Sequence, residues 1–161
     1  MTDSTDRVAV AVELFLQGFN CAQAVTAAFA DLYGLTREQA LRIAASFGGG
    51  MGRMRQVCGA ASGMFILAGL DCGSVIPGDS KGKEYNYRVV QQLAAKFRER
   101  NGSIICRELL GLRKTDNSPV PEARTPEYYK KRPCVRMVES GAVIFSEYLQ
   151  NKEVSDTNIV K

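Results

Sequence analysis

Apolar residues recur every three to four positions along most of this chain, and each run is bracketed by residues that start or stop helices. Val8, Val12, Phe15 and Leu16 share one face of a helix expected over residues 5–17, which Gly18 ends. Asn20, with Gln23 three positions on, forms a capping box that opens a second helix carrying Ala24, Val25, Ala28, Phe29 and Leu32, closed by Gly34. Thr36 and Gln39 repeat the box for a third helix, which runs through Leu41, Ile43 and Ala44 to Phe47. A glycine-rich loop over 48–56 precedes a fourth helix over 57–70. A loop over 72–82, with Pro77 and Gly78, leads to a fifth helix over 83–100 that turns Val89, Val90, Leu93 and Phe97 inward. Asn101 and Gly102 stop it, and Ser103 caps a short sixth helix over 103–110, closed by Gly111. Residues 112–125, with Pro119 and Pro121, read as a long surface loop of the length that tends to carry function. Pro126 opens one turn through Tyr128 and Tyr129, a last helix covers 133–150, and 151–161 reads as a poorly ordered tail.

No run alternates with a period of two, and no repeat or linker interrupts the chain. The expectation is all-α: a single-domain helical bundle of about six to seven helices over 1–161. The 161 residues, 45% hydrophobic and 24% charged, suffice for a packed core without disulfide staples. The net charge of +4 is scattered. Its densest cluster, Lys130, Lys131 and Arg132, reads as a solvated surface and argues against nucleic acid as a partner. The polar start MTDSTDR is unlike a secretory signal, and the longest apolar stretch, 57–70, is too short to span a bilayer. Those features predict a cytoplasmic protein with no membrane partner, in which cysteines serve catalysis or metal binding more than permanent disulfides. Apolar helix faces suggest a homo-oligomer.

The chemistry then rests on five cysteines and no histidine. Without histidine there is no Ser-His-Asp or Cys-His nucleophile, no HExxH zinc site and no CxxCH haem attachment, so haem is not expected. Cys21 follows the cap Asn20, Cys58 opens the fourth helix, Cys106 lies three residues after Ser103, and Cys134 follows Pro133. All four therefore sit at expected helix N-termini, whose partial positive charge favours a thiolate. Arg55 or Arg107 would add cationic support. Cys72 instead follows the end of the fourth helix and Asp71, which both disfavour a thiolate, and reads as structural. No two cysteines are closer than 14 residues, which removes CxxC motifs. Any site must be assembled by the fold.

Two readings follow. In one, Cys21 or Cys58 attacks a disulfide or accepts electrons from an unknown redox partner, and a second thiol resolves the intermediate. In the other, Cys21, Cys58, Cys106 and Cys134 carry a metal without catalysis, zinc or iron–sulfur being the thiolate-rich choices. A bland alternative, a helical binding subunit whose cysteines only pack, also stands. The loop Gly48-Gly49-Gly50-Met51-Gly52-Arg53 lacks the Lys-Ser/Thr of a P-loop, yet Gly49, Gly50, Arg53 and Arg55 have the composition of an anion cradle. Gly59 and Gly63, four apart on one helix face, point to close approach by another backbone or a ligand.

The order and spacing of these pieces resemble the C-GCAxxG-C-C family, named for its cysteine signature and described as redox-active. The likeness is carried by Asn20-Cys21-Ala22-Gln23-Ala24-Val25, the 48–52 glycine loop, Val57-Cys58-Gly59-Ala60 with Gly63, Cys106-Arg107-Glu108-Leu109-Leu110-Gly111, and Pro133-Cys134, within residues 8–150. It implies that Cys21, Cys58, Cys106 and Cys134 are the signature cysteines and that Cys72 is extra.

Overall fold

Capping chemistry sets most helix starts. In a computed structural model that describes residues 4–114, 116 and 118–159, Asn20 and Thr36 each accept from the backbone N–H three residues on, and Gln23 and Gln39 return the bond. The helices are α1 Ser4–Leu16, α2 Cys21–Phe29, α3 Arg37–Ala44, α4 Gly59–Cys72, α5 Ser80–Asn101, α6 Cys106–Leu109, α7 Pro126–Lys131 and α8 Cys134–Ile159. Short 3-10 turns extend α2 (Ala30–Tyr33) and α3 (Ala45–Phe47). The described residues contain no strand; Val57 and Ile105 form an isolated antiparallel bridge. The all-α expectation therefore holds. No helix among the described residues is long and apolar enough to cross a membrane.

Several boundaries move, each for a local reason. The fourth helix starts at Gly59 because the Cys58 N–H is already donated to Ile104 O, at 2.7 Å. The sixth starts at Cys106, not Ser103, because Ser103 Oγ accepts from the Ile105 N–H in a tight turn while Ile105 pairs with Val57. Asp79, which accepts from the Gly82 N–H at 2.9 Å, opens α5 at Ser80. The last helix runs on to Ile159 instead of ending near 150. Residues 160–161, the end of the expected tail, lie outside the described residues.

The core lies around α4, which is buried along most of its length and carries Ala60, Ala61, Met64, Leu67 and Ala68 inward. A helix apolar nearly all round belongs inside a bundle. Its small residues let neighbours come close. A Cβ on Gly63 would sit 2.9 Å from Val25 Cβ and 3.1 Å from Ala22 O of α2. On another face, a Cβ on Gly141 of α8 would sit 3.1 Å from Ala60 O. This fixes how the N-terminal ends of α2, α4 and α8 meet. Phe29 and Phe145 stack edge to face above them, with ring centroids 5.1 Å apart.

At the far end of α4, Asp71 ties three elements together. It accepts from Tyr33 Oη at 3.2 Å, Tyr148 Oη at 2.6 Å and Lys152 Nζ at 2.9 Å. Burial and the adjacent carboxylate push both tyrosines upward, so they stay protonated donors. Lys152 is partly exposed, which discounts its ion pair; the half-buried hydroxyl bonds to a charged acceptor carry the effect. Asp71→Ala should therefore lower unfolding free energy by about 2–3 kcal/mol. A denaturation midpoint within error of wild type would refute that role.

Candidate functional site

A seven-residue stretch of unusual backbone, 49–55, begins the site, with six of its residues at positive φ. Gly49, Gly50, Met51, Gly52 and Arg53 take φ of 64°, 71°, 68°, 58° and 62° in succession, and Arg55 takes 59°. L-residues avoid this left-handed region at a cost of roughly 1–2 kcal/mol each. The turn is held by closures across it: Gly52 N–H to Ser46 O at 2.8 Å, Arg55 N–H to Gly49 O at 3.2 Å and Gln56 N–H to Gly50 O at 2.9 Å. It delivers residues 55–58 alongside 104–107. There the Cys106 N–H donates to Gln56 O at 2.6 Å and the Arg107 N–H to Arg55 O at 3.2 Å. Cys58 and Cys106 are thereby brought together from positions 48 residues apart.

Cys21 arrives through helix packing. A Cβ on Gly59 would lie 3.0 Å from Cys21 Cβ and 3.0 Å from Ala22 N, so only glycine lets the starts of α2 and α4 abut. Asn20 Nδ2 donates to Ala45 O at 3.0 Å and fixes that end of α2. Cys134 is the first residue of α8. All four cysteines line one cavity of about 350 Å³, and so do Gly49, Gly50, Arg53 and Arg55. Cys72 is at the other end of α4, roughly 20 Å away by helix rise. Its Sγ contacts Ala68 O at 3.2 Å and accepts from Asn86 Nδ2 at 3.4 Å. Arg107 is exposed and lies outside the lining.

The four sulfurs are not alike. Burial pushes Cys58 up to about 12, although the Ala60 and Ala61 N–H groups at the start of α4 pull the other way. Burial also raises Cys106, against the opposing bond and charge of Arg55. Cys21 is raised well above the ordinary thiol range, chiefly because its hydrogen bond to Cys134 holds its proton, and then by burial. Cys134 alone is lowered, to about 7. The Cys21 hydrogen bond is the largest cause, followed, against the opposing burial, by the Arg132 charge, a Tyr128 hydrogen bond and the Arg124 charge. Tyr128 is itself raised to about 12 and stays a donor. Helix starts alone therefore do not make four thiolates. Desolvation outweighs the helix end at Cys58, and cations with donors decide the outcome at Cys134. Of the four, Cys134 is the sulfur whose surroundings favour the thiolate, whereas Cys21 and Cys58, the two expected to attack, are held as thiols.

The residues that set Cys134 apart were missed in the sequence. They come from the long loop and α7. Arg124 stacks over Phe15, 4.2 Å from the ring centroid, and donates to Phe15 O and Phe19 O at 3.0 Å each. Arg132, read as part of a solvated cluster, turns inward, lies over the Tyr128 ring and pairs with Glu122. Tyr128, Glu122, Pro119 and Pro121 line the same cavity. The two prolines and the Arg-rich flank of Tyr128 were the only signal available.

A family model described as "Putative redox-active protein (C_GCAxxG_C_C)" matches residues 19–148, most of the chain and all four cavity cysteines. The chain belongs to the C_GCAxxG_C_C family. No curated protein and no solved structure matches it. In this C_GCAxxG_C_C protein the signature cysteines of the resemblance are the ones that meet at the cavity, while Cys72 stays apart. Among the described residues, no three Cys, Asp or Glu side chains come close enough together to hold a metal ion.

Proposed function

We infer that the protein is a thiol–disulfide oxidoreductase in which Cys134 attacks and Cys21 resolves. The observation that carries this reading is the Cys21–Cys134 pair, one sulfur acidified and the other holding the proton. The Cys134 thiolate attacks one sulfur of a substrate disulfide. A mixed disulfide forms and the other half leaves as a thiolate, which takes up the proton from Cys21. The Cys21 thiolate then attacks Cys134 Sγ, the mixed disulfide breaks, and the second half leaves. The substrate gains two electrons and the protein pair loses two. Arg124 and Arg132 stabilise the attacking charge, and Tyr128 orients it. The reading suits a reducing compartment such as the cytoplasm, where the pair is regenerated as dithiol.

Mass spectrometry tests it. Reduced protein treated with a slight excess of small disulfide, then digested, should yield a peptide linking Cys21 to Cys134. Cys21→Ser should instead retain the mixed disulfide on Cys134. A linked Cys58–Cys106 peptide with Cys134 untouched, or no oxidation at all, would overturn the assignment.

A further inference from the structure

Arg55 is only 6% exposed, yet among the described residues its guanidinium makes one hydrogen bond, Nη1 to Cys106 Sγ at 3.7 Å. No described carboxylate pairs with it. A buried guanidinium is costly unless an anion compensates it. Cys106 does not, since burial keeps it in the thiol form. Four arginines, 53, 55, 124 and 132, line this cavity against one carboxylate, Glu122. Glu122 is already engaged by Arg132 and by Arg53, the latter at 3.8 Å. The N-termini of α2, α4 and α8 open on the same space and add partial positive charge. The cavity is thus an anion site whose positive charge exceeds what one thiolate balances, with a small-molecule volume.

We propose that Arg55, with the glycine turn beside it, binds a carboxylate of the substrate, so that the substrate is a small anionic disulfide and not a disulfide on a protein surface. This rests on the thiol–disulfide reading above and deepens it. The substrate's carboxylate compensates Arg55 while its sulfur faces Cys134. Exchange then proceeds by the same balanced steps, with the carboxylate unchanged.

Three disulfides of similar length and different charge supply the test: dithiodipropionate (anionic), hydroxyethyl disulfide (neutral) and cystamine (cationic). Wild-type Cys134 should react with the anionic one roughly tenfold or more faster than with the neutral one, and slowest with the cationic one. Added salt should narrow the gap. Arg55→Met should flatten the series; should that variant fail to fold, the wild-type series still decides. Binding is read separately with suberate, which replaces the S–S unit by two methylenes, on Cys134→Ser by calorimetry. Equal rates for all three disulfides, or a protein disulfide preferred over dithiodipropionate, would overturn the anionic-substrate inference while leaving the oxidoreductase reading intact. Saturable suberate binding that Arg55→Met abolishes, with no disulfide reacting at all, would support the anion site and sink the oxidoreductase reading instead. Absence of suberate binding counts against the anion site whatever the exchange rates show.

Discussion

Iodoacetamide at pH 7 should label Cys134 first, well ahead of Cys58. A thiol that titrates near 7 is about half thiolate at that pH, whereas one near 12 is thiolate in roughly one molecule in a hundred thousand. The less acidic thiolate is intrinsically the better nucleophile, and this returns about two orders of magnitude. Cys134 should still lead by roughly a hundredfold or more, and burial does not oppose that order, since Cys134 is partly accessible where Cys58 is buried. The rate at Cys134 should fall tenfold per unit of pH below about 7 and level off above it. The sign extends to stability. The folded state lowers the Cys134 thiol, so its ionisation stabilises the fold at pH above the ordinary thiol value and that gain is lost as pH falls through about 7, whereas Cys21, raised by the same bond, acts in the opposite sense as pH rises above the ordinary thiol value. The inflection belongs to the Cys21–Cys134 pair. Cys21→Ala removes the largest cause and should move it upward by a unit or more, while Cys21→Ser, which keeps a donor, should restore part of it. An inflection unmoved in Cys21→Ala would transfer the credit to Arg132, Arg124 and Tyr128.

Gly50→Ala should be the most destabilising small substitution near the site. The position needs φ of 71°, and a methyl group there would lie 2.6 Å from Cys106 Cβ, 2.7 Å from Gln56 N and 2.8 Å from Arg55 Cα. Two of those atoms are backbone fixed by the pairing with 104–107, so nothing yields cheaply. Conformational strain of about 1–2 kcal/mol and overpacking of about 1–3 kcal/mol add to roughly 3 kcal/mol or more. The thermal midpoint should drop by roughly 6–12 °C for a chain of this size. Gly52→Ala is the control. It shares the left-handed φ, at 58°, but its nearest neighbour would be Ser46 O at 4.0 Å, so only the strain should register. Equal losses in the two variants would mean that crowding against Cys106 is not what demands glycine at position 50.

The helices were legible because their signals are local. Asn20 with Gln23 and Thr36 with Gln39 are read within four residues and stand as capping boxes in the fold. The signature cysteines and the cradle residues Gly49, Gly50, Arg53 and Arg55 were also legible as a set, and they share one cavity. What sequence could not give was the ranking of the sulfurs. Helix-end charge is local and visible at Cys58, but desolvation depends on what packs over it, and that outweighs the helix end. The acidity of Cys134 depends on Arg124 and Arg132, brought in by an irregular loop that follows no periodicity. Ser103 misled for a related reason: its hydroxyl does bind a nearby N–H, but a long-range bridge at Ile105 holds the chain out of helix until Cys106.

The cavity wall draws on residues from Asn20 to Met137, with its pieces on four separate stretches of chain, 20–21, 45–59, 106–110 and 119–137. No short fragment can therefore reproduce it, and the differences among the cysteines exist only while the whole assembly is closed. In denaturant all five thiols should revert to one common acidity. The ionisation of Cys134, followed by its thiolate absorbance at constant pH, is thus a built-in gauge of integrity. It should fade when the 48–58 turn separates from 104–107, even if the long helices, and the circular dichroism they dominate, persist.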